Sequence, residues 1–188
     1  LGRLLLDYER TSPDLVPHLL ATLSAMESSA EFVAFVGGVM RQVQASGALV
    51  RRKLTRGTAF CAVFRHELLA VSHRWEDPSA PDGQGVQMMA LRAHLVNHTH
   101  LKLVWYDFWC MPQGGDRSAE EKADFKLMLM NVNLLYLGCS VLCLVDISYL
   151  SRFWTQFEAW LSMQAAGPGG LHPASAATRH RHRCAFPR

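Results

Sequence analysis

Between residues 67 and 164, short apolar runs alternate with stretches of helical period, and this alternation constrains the fold more than any other feature of the chain. "ELLAVSHRW" (67–75), "LKLVWYDFW" (101–109) and "CSVLCLVDISYL" (139–150) read as strands, the last apolar on both faces like a central parallel strand. "VQMMALRAHLVNH" (86–98) reads as a helix, and "EDPSAPDGQG" (76–85) and "CMPQGGDRS" (110–118) read as loops by their Pro, Asp and Gly content. Ser118 with Glu121 gives a capping-box signature ahead of a helix whose apolar face is Phe125, Met128, Leu129, Val132, Leu135 and Tyr136. "SRFWTQFEAW" (151–160) opens another helix, with Trp154, Phe157, Trp160 and Leu161 as its expected buried stripe. Strand, helix and strand in this order predict βαβ crossovers and an open parallel sheet.

The flanking segments differ. Residues 1–57 read as a helical N-terminal extension, because Leu15, Leu19, Leu20, Leu23 and Met26, then Phe32, Phe35, Val36, Val39 and Val43, recur at helical spacing. From 165 to 188 the chain is rich in Gly, Pro and Ala and then basic, so it reads as a disordered or non-homologous tail. The α/β domain is thereby placed at 58–164. Three strands make a thin sheet, and the expectation is a fold truncated at its C-terminus or one that borrows strands.

A hydrophobic content of 49% with 19% charged residues is ample for a packed core in 188 residues. The net charge of +3 resides largely in "RRKLTR" (51–56) and "TRHRHR" (178–183), not along an aromatic-studded groove, which argues against nucleic acid as a partner. No run reaches the roughly 18 apolar residues needed to span a bilayer, so no membrane partner is expected. The first residue is Leu, which reads as a soluble fragment of a longer chain. Five cysteines, at 61, 110, 139, 143 and 184, include no C-x-x-C pair and read as reduced thiols in a cytoplasmic protein.

Ligands of open parallel sheets bind beyond the carboxyl ends of the strands. The residues there are Ser72, His73, Arg74, Trp75, Glu76 and Asp77 after the first strand; Asp107, Trp109, Cys110 and Gln113 after the second; and Asp146, Ser148, Tyr149 and Arg152 after the third. Taken alone, Glu158 reads as a solvated helix charge or a partner of Arg152, Asp107 as a loop cap, and His73 and Arg74 as anchors of the first loop. Cys110 with Gln113 reads as loop architecture rather than nucleophile and partner. His94 and His98 share a helix face with His100 nearby, but no third ligand of settled position accompanies them, so no metal is expected. "GQG" (83–85) has neither P-loop nor dinucleotide spacing.

These strand ends carry a resemblance. "VSHRWED" resembles the first-strand motif of Toll/interleukin-receptor (TIR) domains, especially the plant form S-F-R-G-E-D, with Ser72, Arg74, Glu76 and Asp77 in register and Trp75 in place of Gly. "LVWYDFWCMPQ" resembles the heterokaryon-incompatibility (HET) signature W-I-D-x-x-C-I-x-Q at Trp105, Asp107, Cys110 and Gln113. "SRFWTQFEAW" is similar to R-x-W-x-x-Q-E of HET domains, with Phe157 in place of Gln, and to S-x-W-C-x-x-E of TIR domains. In both, a Glu follows a Trp by four residues, as Glu158 follows Trp154.

The resemblance implies a flavodoxin-like (TIR-like) α/β domain of intracellular signalling or defence. For many TIR domains it implies cleavage of the nicotinamide–ribose bond of NAD, with Glu158 as the catalytic residue here and NAD as substrate, with no cofactor. Loss of nicotinamide leaves a ribosyl oxocarbenium ion, which a carboxylate stabilises, and the neutral pyridine leaves with little acid assistance. Ser72, Arg74, Trp75, Asp107 and Trp154 are the expected substrate-binding residues: Trp154, one helical turn from Glu158, walls the pocket or stacks on a base, and Arg74 meets a phosphate. The competing expectations are a non-enzymatic module whose like domains self-associate, and an inactive truncated fragment.

Overall fold

The structure, a computed structural model, describes residues 2–7, 49–77, 81–82, 85–112 and 117–175. The helical stripe expected between 15 and 43, Gln113 and the basic tail at 178–183 lie outside the described residues.

In chain order the strands are β1 (Gly2–Asp7), β2 (Leu49–Lys53), β3 (Leu68–His73), β4 (Leu103–Trp105), β5 (Ser140–Leu144), β6 (Gln164–Gly167) and β7 (Gly170–Pro173). The helices are α1 (Arg56–Phe60), α2 (Val86–Val96), α3 (Asp107–Cys110), α4 (Ala119–Leu129), α5 (Asn133–Gly138) and α6 (Phe153–Ser162), with a 3-10 turn at Tyr149–Ser151. The three apolar runs are the parallel strands β4, β3 and β5, side by side in that order. Helices flank this parallel sheet as βαβ connectivity requires.

Two expectations for the flanks fail. Residues 2–7 and 49–53, read as helical, are β1 and β2, and they extend the sheet antiparallel in the order β2, β1, β4, β3, β5. "GRLLLD" and "LVRRK" are too short to show helical period; the hydrogen-bonding edge of β4 pairs with β1, and β1 in turn pairs with β2. Likewise 165–173, read as part of a disordered or non-homologous tail, lies in the β6–β7 hairpin that starts at Gln164, and the hairpin closes back on the domain through the Ala174 N–H to the Met163 carbonyl at 2.9 Å.

Smaller corrections follow from length. The strand expected over 101–109 ends at Trp105, because Asp107 opens the short helix α3, its Oδ1 accepting the Phe108 N–H at 2.6 Å. The single helix expected after Ser118 is two, α4 and α5, and Leu129 is left exposed at the break. The capping box itself is formed, Ser118 Oγ accepting the Glu121 N–H and Glu121 accepting the Ser118 N–H.

Side chains of β3 alternate between two cores. Leu68 and Ala70 pack with Leu134, Leu135 and Tyr136 of α5 and Leu161 of α6, whereas Leu69 and Val71 pack with Leu91 and Leu95 of α2. Thus β3 and its neighbour β5 are followed by helices on opposite faces of the sheet. Their carboxyl ends therefore border the switch-point crevice of an open α/β sheet. On the first face α5 meets α1 so closely that a Cβ at Gly138 would lie 2.5 Å from Ala59 Cα, which explains a glycine at that position.

Candidate functional site

The alternation that builds two cores also builds the site, because Ser72 and His73, consecutive at the end of β3, face opposite sides of the sheet. Ser72 faces α5 and α6. Its Oγ lies 2.6 Å from Glu158 Oε2 and 2.7 Å from the Tyr149 hydroxyl. Tyr149 donates to the Thr155 carbonyl at 3.0 Å, and the Thr155 hydroxyl donates back to the Tyr149 carbonyl, locking the 3-10 turn to the first turn of α6. Tyr136 of α5 hydrogen-bonds the Glu158 carboxyl.

Glu158 is thus turned into the molecule, not out to water as a solvated helix charge. Burial pushes its carboxyl up to about 7; Asp107 adds to the rise, and the hydrogen bonds of Ser72 and Tyr136 and the charge of His73 act against it. A carboxyl in that range is both acid and base at neutral pH, which is a property of functional carboxyls more than of structural ones.

His73 faces α2. Its Nδ1 lies 2.8 Å from Gln87 Oε1 and its Nε2 lies 2.8 Å from Asp107 Oδ1. The Gln87 amide cannot be reversed, since its Nε2 donates to the Arg74 carbonyl at 2.9 Å and the Pro81 carbonyl at 3.1 Å. Both imidazole nitrogens therefore face acceptors, with the Tyr106 hydroxyl also 3.2 Å from Nδ1, an arrangement that favours the protonated ring beside Asp107. Burial alone would lower its pKa, but the charge and hydrogen bond of Asp107, with Gln87 assisting, raise it above the usual histidine range. Tyr106 stacks on the ring at a centroid distance of 4.2 Å. The other oxygen of Asp107, Oδ2, accepts the Trp75 indole N–H at 2.9 Å, so one carboxylate holds both His73 and Trp75 at the end of β3.

Arg74 joins the ends of β3 and β5: its Nε and Nη2 both lie 2.7 Å from Asp146 Oδ2. Although burial would raise the Asp146 pKa, the Arg74 hydrogen bond, with the Tyr149 N–H at 2.6 Å from Oδ1, holds it below the ordinary carboxylate range.

Of the residues expected from sequence, Ser72 and Glu158 touch directly. Arg74, Trp75 and Asp107 gather at the same strand ends, bound to Asp146, to Asp107, and to His73 with Trp75, respectively. Trp154 does not join them, and the expected buried stripe of α6 is corrected: Trp154 is 67% exposed and Trp160 is 44% exposed, while Thr155, Leu161 and Ser162 are buried. Leu161 is buried as expected and Phe157 packs against the core, but Trp154 and Trp160 leave the stripe because α6 follows a tight turn whose Thr155–Tyr149 bonds set the helix rotation. Cys110 is buried with its thiol on the Val104 carbonyl, a structural placement. Among the described residues no group of three or more His, Cys, Asp or Glu side chains is arranged to hold a metal ion.

Tyr136 and Gln87 were not legible as site residues. Tyr136 fits the helical core stripe, and its one distinguishing signal is a hydroxyl that a buried tyrosine must satisfy. Gln87 is a polar residue on the buried side of α2, whose neighbours Leu91 and Leu95 follow at helical spacing. No protein-family model, curated protein or solved structure matches the chain.

Proposed function

We propose that the chain is a TIR/HET-like signalling or defence domain of the cytoplasm that hydrolyses the N-glycosidic bond of NAD or a related nucleotide at Glu158. The observation that carries this reading is the position of Glu158: a largely buried carboxyl, poised near neutrality, at the switch-point end of a parallel sheet and held by Ser72 and Tyr136. As a carboxylate it stabilises the ribosyl cation, and the hydroxyl donors fix its direction in advance. Arg74 supplies a cation for phosphate from the adjoining loop, and the exposed Trp154 offers a stacking face on the same helix. The chain is incubated at high concentration with NAD and nicotinamide release is followed; Glu158→Ala lowers the rate by about 10²–10³-fold. No release from the wild-type chain, or release unchanged in Glu158→Ala, overturns the reading.

A second reading, self-association with like domains, draws on a different observation. Phe153, Phe157 and Trp160 form a stacked row on α6, with ring centroids 5.8 and 5.9 Å apart, and Phe153 is 70% exposed beside Trp154. Exposed aromatic rows of this kind mark interaction surfaces. Sedimentation velocity of wild type and of the Phe153→Ser, Trp154→Ser double variant tests it: the expected result is loss of a concentration-dependent heavier species, with Glu158→Ala sedimenting as wild type.

A further inference from the structure

The partly exposed guanidinium of Arg74 and the buried carboxyl of Glu158 are joined by four links of 2.6 or 2.7 Å. Arg74 Nε and Nη2 donate to Asp146 Oδ2 at 2.7 Å, and Asp146 Oδ1 accepts the Tyr149 N–H at 2.6 Å. The Tyr149 hydroxyl lies 2.7 Å from Ser72 Oγ, and Ser72 donates to Glu158 Oε2 at 2.6 Å. Ser72 has one hydrogen and gives it to the carboxylate, so the contact between the two hydroxyls takes its hydrogen from Tyr149, which the Thr155 carbonyl shares at 3.0 Å. The path leaves the chain after β3 at Arg74 and returns at Ser72, two residues earlier, having crossed the loop after β5 and the 3-10 turn. Asp146 is where its two halves meet: one oxygen takes Arg74, the other takes the turn that carries Tyr149.

Building on the glycosidic reading of Glu158, we propose that Asp146 is a positioning residue of the site, holding the phosphate-binding Arg74 and the carboxyl of Glu158 in one frame, so that binding and cleavage are coupled through it. Asp146 touches no reacting atom. It acts on binding through Arg74, whose planar group keeps further N–H donors for a ligand anion. It acts on chemistry through Tyr149 and Ser72, which aim a donor at the carboxylate before substrate arrives. A nucleotide phosphate shares the guanidinium with Asp146 rather than displacing it, since displacement would free the turn on which the Tyr149 hydroxyl depends.

Three variants of the whole chain separate the two branches in steady-state nicotinamide release from NAD. Tyr149→Phe leaves the Asp146 bond to the main chain and cuts only the chemical branch; kcat is expected to fall about tenfold with KM unchanged. Asp146→Ala cuts both branches, so kcat falls and KM rises, each about tenfold. Asp146→Asn keeps an acceptor for the Tyr149 N–H without the charge toward Arg74; it recovers most of kcat while KM stays raised. A change confined to kcat or to KM in Asp146→Ala, or no recovery of kcat in a folded Asp146→Asn, overturns the proposal.

A second measurement needs no turnover. The Glu158 carboxyl is followed by carbon-13 NMR, assigned by its loss in Glu158→Gln, and titrates at about 7 in wild type among Ser72, His73, Asp107, Tyr136 and Tyr149. Without the Tyr149 hydroxyl, Ser72 is a weaker donor to the carboxylate, so the proton affinity of Glu158 rises about threefold in Tyr149→Phe and in Asp146→Ala, and returns toward wild type in Asp146→Asn. An unmoved titration in folded variants overturns the positioning role, and nicotinamide release by the wild type then leaves the glycosidic reading standing. A moved titration with no nicotinamide from the wild type removes the glycosidic reading and, with it, the coupling to phosphate, but keeps Asp146 as the residue that positions Glu158.

Discussion

At the scale of single residues, the costs and uses of Glu158 can be separated by pH. Its carboxyl ionises near 4.5 in an unfolded chain and at about 7 in the folded one, so the folded state holds the proton more tightly. The contribution to stability is fully present below about pH 4.5 and is lost as pH rises through about 7. Glu158→Gln keeps a similar shape without the charge. It is expected to be more stable than wild type at pH 8 by about 2–3 kcal/mol and to lose the decline between pH 5 and 8, measured by urea unfolding at each pH. An equal pH dependence in the variant would show that Glu158 is not ionised against a burial penalty. His73 has the same sign of pH dependence by a different cause: its proton is held by acceptors on both ring nitrogens and by the charge of Asp107, and its contribution is lost as pH rises through its raised pKa.

Among the elements, α2 owes its start to a residue ahead of its own cap. Gly85 at the N-cap has a left-handed backbone and no side chain to bond the first turn. Asp82, buried three residues earlier, does so instead, its Oδ1 accepting the Gln87 N–H at 3.1 Å and its Oδ2 the Met88 N–H at 2.8 Å. Gln87 in turn orients His73, so the cap and the site share a support. Asp82→Ala is expected to destabilise the chain by about 1–2 kcal/mol in denaturant unfolding, and Asp82→Asn, which keeps one acceptor oxygen, by less. The strands β3, β4 and β5 were legible because apolar runs of that length have few alternatives, and the capping box of α4 because its chemistry is local. The rotation of α6 was not: helical period states that a face is buried but not which one, and an aromatic row at that spacing satisfies the pattern whether it faces the core or solvent.

For the whole molecule, the sheet is completed by segments far apart in sequence. β1 lies between β2 and β4, with Leu6 paired to Leu49 on one side and Val104 on the other. A proline at Leu6 removes an N–H from this position and cannot join the ladder. Leu6→Pro is expected to lower stability by about 3 kcal/mol and to increase light scattering on heating, as the edge of β4 is uncovered. If stability is unchanged, the antiparallel half of the sheet is not part of the cooperative unit.

What the sequence determined by itself was the three parallel strands, the loops at the strand ends and the strand-end candidates Ser72, Arg74 and Asp107, because composition, period and turn chemistry are local properties; Glu158 became a candidate only through the resemblance of its helix to TIR and HET motifs. Tertiary structure alone decided that 2–7 and 49–53 are strands, that Trp154 is outside, and that Ser72 meets Glu158 while His73 meets Asp107. Those outcomes depend on which face of β3 each side chain takes and on what lies across from it, and a hydrogen bond between residues 72 and 158 leaves no periodicity in the chain that joins them.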